Sequence, residues 1–464
     1  MKILLITPPQ GPKEIGGTHF NLYEPIALEY LAATVKDYHS VSILDMRIDQ
    51  DLIRTLEEVN PDLAGITGYT VNVNMMKTLC KRIKEWNPEI LTIIGGHHAT
   101  VAPEDFTAQH IDFIAIGDGI ETFPEFIKAL DTGKDIRSIK GLAFVRNNRL
   151  LKNPSRPLTH INDFPMPDRT LTEQYREHYF CDWMQPLACI NTSRGCPFRC
   201  KFCSLWKLTG GRYMTRHPES IVEELSGVNE KYIFLSDDES MVDHKRMMNL
   251  ADIIKKSGIK KSYYMYGRAD TIARHPELME KWKNIGLERV FVGFESYRNK
   301  DLKDINKQNS IEDHKKAVDI LRGLDISIYA SLMILPEYDH KNFEELYNYV
   351  QSLKLEYPVF SILTPLKGSD LYEELKHKLV SYDFDTVDFF HPLLPTRLPV
   401  QEFCHEIYNL YKRTWNLSAM ISVLCKYPPH KASYVLKTNI REFKRIGESY
   451  RDCEPQHSPA RKVF

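Results

Sequence analysis

The chain reads as an α/β protein. A doubly wound parallel sheet comes first, a partial (βα)6 barrel follows, and a helical segment ends it. Three observations predict this. Short apolar strands alternate with helical stretches in two separate runs. An interval carrying Pro154, Pro157, Pro165, Pro167 and Pro186 divides those runs. At 464 residues the chain is also long enough for more than one core.

The first run opens with the apolar stretch K-I-L-L-I-T at 2–7, a buried strand stopped by Pro8-Pro9. A glycine-rich loop from Gly11 to Thr18 leads to a helix at 25–36. Strands at 41–44, 63–67, 91–94 and 113–116 then alternate with helices at 50–59, 73–86 and 122–130. Apolar strands in this alternation build a parallel sheet covered on both faces, and right-handed crossovers make it doubly wound over residues 1–135.

Ligands of such sheets bind beyond the carboxyl ends of the strands. Those ends carry Thr7-Pro8-Pro9, Thr67-Gly68-Tyr69-Thr70, Gly95-Gly96-His97-His98 and Gly117-Asp118-Gly119. Glycines there let backbone approach a large ligand, although plain turns use them as well. No G-x-G-x-x-G follows the first strand, which disfavours a dinucleotide. Residues 136–186 read as a hairpin about Asn147-Asn148 followed by an irregular linker.

The second run, 187–395, restarts with a strand at 187–191 that delivers the loop T-S-R-G-C-P-F-R-C-K-F-C-S-L-W at 192–206. Cys196, Cys200 and Cys203 stand there in the spacing C-x3-C-x2-C, and Gly195 and Pro197 keep the segment out of regular helix. Three thiolates suit a soft, thiophilic centre. A fully ligated 4Fe–4S cluster needs a fourth cysteine and none lies near, so the simplest occupant is a cluster with one open iron. A zinc site would normally bring a second knuckle or a His pair, which is absent. The other six cysteines (80, 181, 189, 404, 425, 453) are scattered and read as buried or incidental thiols.

Five further β/α units follow, with strands at 232–235, 262–266, 289–293, 327–332 and 358–363, and helices at 217–225, 243–256, 276–285, 299–323 and 342–353. Six parallel units place a site at the carboxyl ends of a barrel. Those ends carry Ser236-Asp237-Asp238-Glu239, Gly267-Arg268-Ala269-Asp270, Gly293-Phe294-Glu295-Ser296 and the run from Thr364 to Gly368, with Ser331 inside strand five. Loop caps and local salt bridges are the plainer use of these carboxylates.

Segment 396–464 follows the motif H-P-L-L-P-T-R-L-P at 391–399 and is helical from 401 to 415. Its later part is basic (Lys412, Arg413, Lys437, Lys444, Arg451), with Trp415, Ile421 and Leu424 interleaved. That pattern fits a solvated exterior helix or a peripheral membrane contact. Hydrophobic content of 42%, charged content of 27% and a net charge of −1 describe an ordinary soluble chain without a nucleic-acid surface. No run of roughly 18 apolar residues occurs, and the chain enters its first strand directly, so a cytoplasmic protein is expected.

The cysteine spacing, with the aromatic Phe202 before the last cysteine, resembles the signature of the radical S-adenosylmethionine (SAM) superfamily. The resemblance implies a 4Fe–4S cluster on Cys196, Cys200 and Cys203, with SAM chelated at the open iron. It assigns SAM contacts to Phe202, Asp238, Arg268, Glu295 and Ser331, the carboxylates meeting the ammonium and ribose hydroxyls and Arg268 the carboxylate. The first domain, with its Gly95-Gly96-His97 and Gly117-Asp118-Gly119-Ile120-Glu121 turns, looks like the cobalamin-binding half of B12-dependent radical SAM enzymes. Cobalamin contacts then fall to Pro8, Thr67, Tyr69, Thr70, Asn72, Gly95, Gly96, His97, Gly117, Gly119 and Glu121. The D-x-H-x-x-G motif that supplies cobalt with a histidine elsewhere is missing; His19 sits in T-H-F-N, so a cobalt without a lower histidine is expected.

Over residues 1–415 the sequence is most similar to the hopanoid C-3 methylase branch of the class B radical SAM methyltransferases. That implies methyl transfer to an sp3 carbon through a 5′-deoxyadenosyl radical and methylcobalamin, with electrons from a flavodoxin- or ferredoxin-type donor. The substrate is a lipid, another small molecule or a protein side chain. A B12-dependent cyclase without methylation, and a non-catalytic sensor, stay open at this point.

Overall fold

The computed structural model describes residues 1–16, 21–146 and 149–415, together with scattered positions between 421 and 450. The chain forms two compact units: residues 1–14, 23–179 and 207–210, and residues 15–22, 180–206 and 211–464. The stretch expected to be a linker is thus assigned to the first unit as far as Tyr179. It contains a ten-residue 3-10 segment, Arg169–His178, rather than irregular chain alone.

The first unit is built on a seven-stranded sheet. Its strands are β1 (Lys2–Thr7), β2 (Ser40–Asp45), β3 (Leu63–Thr67), β4 (Leu91–Gly95), β5 (Phe113–Ala115), β6 (Leu142–Arg146) and β7 (Arg149–Lys152), in the order β2-β1-β3-β4-β5-β6-β7. The first five are parallel. Ile3 to Ile6 are at most 1% exposed, as a strand covered on both faces requires. The hairpin β6–β7 corrects the all-parallel expectation: it pairs antiparallel with β5 and extends the sheet. Its turn, Asn147-Asn148, lies outside the described residues, as does His19. Helices α1 (Ile26–Ala33), α2 (Leu52–Val59), α3 (Val73–Trp86) and α4 (Thr122–Thr132) connect the strands. Asp51 caps α2 by accepting from Arg54 N at 3.1 Å, and Gly133 ends α4 at φ 64°. Strand order reverses between β1 and β3, so the crevice for a ligand opens at Thr7-Pro8 and Thr67-Gly68.

The second unit is a six-stranded, wholly parallel sheet, β8 (Leu187–Ile190), β9 (Tyr232–Leu235), β10 (Ser262–Arg268), β11 (Leu287–Glu295), β12 (Ser327–Ile334) and β13 (Tyr357–Ile362), paired in sequence order. Its main helices are α5 (Pro218–Gly227), α6 (His244–Ser257), α7 (Pro276–Asn284), α8 (Ile311–Gly323) and α9 (His340–Ser352). A short helix, Ala269–Arg274, follows β10 without having been anticipated. Capping boxes at Ser310/Asp313 and Asp339/Asn342 start α8 and α9. Alternate strand residues (Ile233, Tyr263, Val290, Val292, Ala330, Leu332) join the helices in one core.

Helix α10 (Val400–Thr414), placed in a separate terminal segment by the sequence reading, buries Phe403, Cys404, Ile407 and Leu410 in that same core. Its Tyr411 hydroxyl accepts from Phe360 N at 3.0 Å and donates to Phe360 O at 2.9 Å, which satisfies the free edge of β13. Most of the basic tail lies outside the described residues. Among those described, no helix is long and apolar enough to cross a membrane.

Candidate active site

The cysteine loop leaves the carboxyl end of β8 and is tied down by acids from the end of β9. Asp237, 1% exposed, accepts from Thr192 N at 2.6 Å and Ser193 N at 2.8 Å through Oδ1, and from Thr192 Oγ1 at 2.6 Å through Oδ2. Asp238 accepts from Gly195 N at 2.7 Å, where the backbone turns through φ 89°. A side chain at that φ would be strained, so Gly195 serves the turn. Further along, Lys201 N donates to Ile305 O at 3.0 Å, Asn306 Nδ2 to Arg199 O at 2.7 Å, and Leu371 N to Lys201 O at 2.9 Å. The end of β9, the segment after the helix Asn299–Asp304 and the helix Asp370–Leu375 thus hold one loop.

The three thiols sit close enough to feel one another's charge. Burial pushes Cys196 up to about 12 and Cys203 up to about 11. Burial raises Cys200 as well, while the cations of Lys307 and Arg268 pull the other way. Burial thus favours the protonated thiols, and binding of a metal centre would release those protons. Among the described residues, no three His, Cys, Asp or Glu side chains converge tightly enough for a single metal ion. Three thiolates on one loop are the soft donor set that an iron–sulfur cluster takes. The remaining described cysteines, Cys80, Cys181, Cys189 and Cys404, are all buried.

Four of the five expected SAM contacts, Phe202, Asp238, Arg268 and Glu295, lie in or around the same loop and already have partners from the chain. Glu295 ends β11 at φ 67°, beyond a register shift, and accepts from Lys307 Nζ at 2.7 Å. Arg268, expected to meet a ligand carboxylate, donates to Asp270 Oδ1 at 2.9 Å and to the carbonyl of Lys307. Its guanidinium carbon lies 3.7 Å from the centroid of Phe198. Ser331 is half-buried and pairs in register with Gly293. Phe202 packs on the core, with Lys307 Nζ 5.9 Å from its ring centroid.

Lys307 escaped the sequence reading, and Glu239 was named there only as one of the strand-end acids, without a role of its own. Lys307 is 8% exposed, and Glu239, 5% exposed, has its carboxyl pushed up by burial to about 7. A third acid after Asp237-Asp238, and a polar break between two helices, were the available signals.

In the first unit the glycine turns frame the switch-point crevice. Gly96 stands at φ 97°, and a Cβ there would lie 2.5 Å from Thr67 Oγ1 and 2.9 Å from Gly68 O. Gly117, at φ 105°, faces open space, with nothing within 4 Å of a built Cβ. Gly95 and Gly119 flank these turns, and Pro8 is buried at the end of β1. Thr7 Oγ1 is buried without a hydrogen-bond partner. Asn72 Oδ1 accepts from Tyr69 N at 3.0 Å, and the Tyr69 ring, 69% exposed, stands 6.1 Å from that of His97. Burial holds His97 down at about 4, hence neutral. His98 is fully buried between Thr70 Oγ1 (3.0 Å) and Asp105 (2.9 Å), and so braces the loop. Glu121 accepts from Arg156 at 2.9 Å and from Thr159 Oγ1 at 3.2 Å, which fixes the following chain. An orphaned hydroxyl, an open glycine turn and the exposed Tyr69 ring beside the more buried His97 fit a large, flat cofactor.

A parallel barrel with three grouped thiols at its carboxyl end defines a radical SAM enzyme, and the doubly wound unit is of the cobalamin-binding kind. Comparison with known families agrees: residues 13–127 match the B12 binding domain and residues 190–350 the radical SAM superfamily. The chain is 29% identical over 401 residues to the hopanoid C-3 methylase of Methylococcus capsulatus, covering 84% of this chain and 77% of that protein. It is 30% identical over 388 residues to the uncharacterized methyltransferase PH0819 of Pyrococcus horikoshii, covering 80% and 83%. In fold it matches the cobalamin-dependent SAM radical enzyme OxsB, with a TM-score of 0.72 at 14% identity over 97% of this chain and 71% of that one. The chain belongs to the cobalamin-dependent radical SAM methyltransferases, and its cofactors are a 4Fe–4S cluster, SAM and cobalamin.

Proposed function

We propose that this chain methylates an unactivated sp3 carbon of a lipid or another apolar small molecule. The grouping of Cys196, Cys200 and Cys203 in a loop pinned by Asp237 and Asp238 carries the reading. Such a C–H bond is too weakly acidic for any side-chain base, so a radical must activate it. When bound, the cluster supplies the electron that cleaves SAM, and cobalamin supplies the carrier of the methyl group.

The chain's own share is placement and exclusion of water. The three cysteines hold the cluster. Phe202, Asp238, Arg268, Glu295 and Ser331 would surround SAM, Phe202 by packing and the others through donors and lone pairs beyond the bonds they already make. Pro8, Thr67, Tyr69, Thr70, Asn72, Gly95, Gly96, His97, Gly117, Gly119 and Glu121 would form the corrin seat. A flavodoxin- or ferredoxin-type donor in the cytoplasm provides electrons.

Two observations support an apolar substrate. Strand positions opposite in parity to the helix-facing core carry Phe234, Tyr264, Tyr266 and Phe291, packed ring on ring at 4.7 to 5.2 Å. The relative from Methylococcus capsulatus is a hopanoid methylase.

The test uses anaerobically reconstituted protein, a one-electron reductant and SAM labelled in its methyl group. Release of 5′-deoxyadenosine and label in the lipid extract are expected, and Cys200→Ala yields neither. SAM cleavage with label in peptide, or in no product, overturns the substrate reading. A fully loaded cluster without SAM cleavage overturns the enzyme.

A further inference from the structure

The loop between Asn299–Asp304 and α8 carries a buried cation that the family assignment leaves without a task. Lys307 sits between two non-glycine residues held at positive φ, Asn306 (55°) and Gln308 (58°). Positive φ on such residues is strained and persists only where surrounding bonds enforce it. Those bonds run to the cysteine loop on both sides of Cys200: Asn306 Nδ2 donates to Arg199 O at 2.7 Å, and Ile305 O accepts from Lys201 N at 3.0 Å.

The ammonium itself donates to Glu295 Oε1 at 2.7 Å, with its side chain 10% exposed. Glu295 is a third strained residue, at φ 67°. The pair lies against bare backbone, since a Cβ on Gly293 would stand 2.6 Å from Glu295 Oε1 and 2.7 Å from Lys307 Nζ. Three strained residues and one glycine therefore fix a single positive charge beside the middle cysteine. Phe202, which precedes Cys203, stands over that charge at 5.9 Å. An ammonium carries three donors, and Glu295 takes one.

We infer that Lys307 is a positioning residue for the cluster: its fixed ammonium beside Cys200 sets the reduction potential of the iron–sulfur centre, with Glu295 as its counterweight. Net charge and hydrogen bonds near cluster sulfurs are what tune such potentials. A cation held there favours the reduced, more negative state. The inference rests on the cluster assignment above.

The test is an EPR-monitored potentiometric titration of protein reconstituted with iron and sulfide, without cobalamin or SAM. Glu295→Gln leaves the ammonium without its counter-charge, and its potential rises above native. Adding Lys307→Met to Glu295→Gln removes the cation without stranding a carboxylate, and the potential falls below that of the single variant. Equal potentials for the single and double variants, at equal iron content, overturn the inference. If Glu295→Gln takes up no iron, Lys307→Arg and Lys307→Met in the otherwise native chain decide: the Met variant must lie below the Arg variant. If only the native chain takes up iron, the pair is merely structural and the inference falls. A native chain that takes up none sinks the cluster assignment itself.

Discussion

Replacing Asp237 separates what holds the cysteine loop from what binds to it. Its Oδ1 accepts from two backbone N–H groups, Thr192 and Ser193, and its Oδ2 from the Thr192 hydroxyl. Asp237→Ala strands both N–H groups in a buried site, each at about 1–3 kcal/mol, while the hydroxyl is free to turn. The loss is therefore about 2–6 kcal/mol. Asp237→Asn keeps the oxygen that accepts both N–H bonds and turns its amide toward Thr192 Oγ1. What it forfeits is charge assistance, and burial already opposes that charge by raising the carboxyl's pKa. Its cost is about 1–2 kcal/mol. Urea unfolding, with iron counted per chain after reconstitution, reads both effects. The Ala variant should unfold earlier and hold little iron, and the Asn variant should stay near native in both. Native stability and full iron in Asp237→Ala would refute the reasoning, as would equal losses in the two variants.

Gly96→Ala puts a Cβ 2.5 Å from Thr67 Oγ1 at φ 97°, a region costing a side chain about 1–3 kcal/mol before any clash. Cobalamin should no longer co-elute on gel filtration, whereas Gly133→Ala, at φ 64° in open space, should retain it. Glu239 holds its proton more tightly folded than unfolded, so its contribution is full below about pH 4 and is lost as pH rises through about 7. That amounts to about 3 kcal/mol; Glu239→Gln should match native stability at acid pH and exceed it at alkaline pH, and an unchanged pH slope would refute this. Arg289, fully buried against Trp183 (3.9 Å) and Tyr329 (4.0 Å), pairs with Asp182 at 3.3 Å. Arg289→Ala should lose roughly 3–5 kcal/mol in chemical unfolding by leaving Asp182 buried and unpaired, and the loss should shrink when Asp182→Asn is added.

The strands and the thiol loop were legible because their signals are local. An apolar run of four to six residues reads as a buried strand wherever it falls, and C-x3-C-x2-C is contained in eight residues. The partners of the acids were not legible, because they are set by tertiary distance. Glu121 finds Arg156 35 residues later, and Glu295 finds Lys307 across a strained loop that contains no glycine to announce it. Asp237, Asp238 and Glu239 are adjacent and chemically alike; the irregular loop after β9, which no pattern records, gives them three different surroundings. The hairpin was read correctly as a hairpin, but nothing in alternating apolar residues says which sheet edge it will join.

These pairings change what the strand-end carboxylates are for. Asp237 and Asp238 meet backbone N–H groups of the cysteine loop, Asp270 meets Arg268, and Glu295 meets Lys307. Each acid was a plausible ligand contact from its position alone, yet each is first a strut. A site framed this way keeps its geometry before any ligand arrives, so binding need not supply the ordering entropy of the loop. The two cations held by these acids are Arg268 and Lys307, the same groups that act on Cys200. Loosening a strut should therefore change the electrostatics at the thiols together with the loop's stability. Only variants that keep shape while changing charge, such as Asp237→Asn or Glu295→Gln, can tell the two apart.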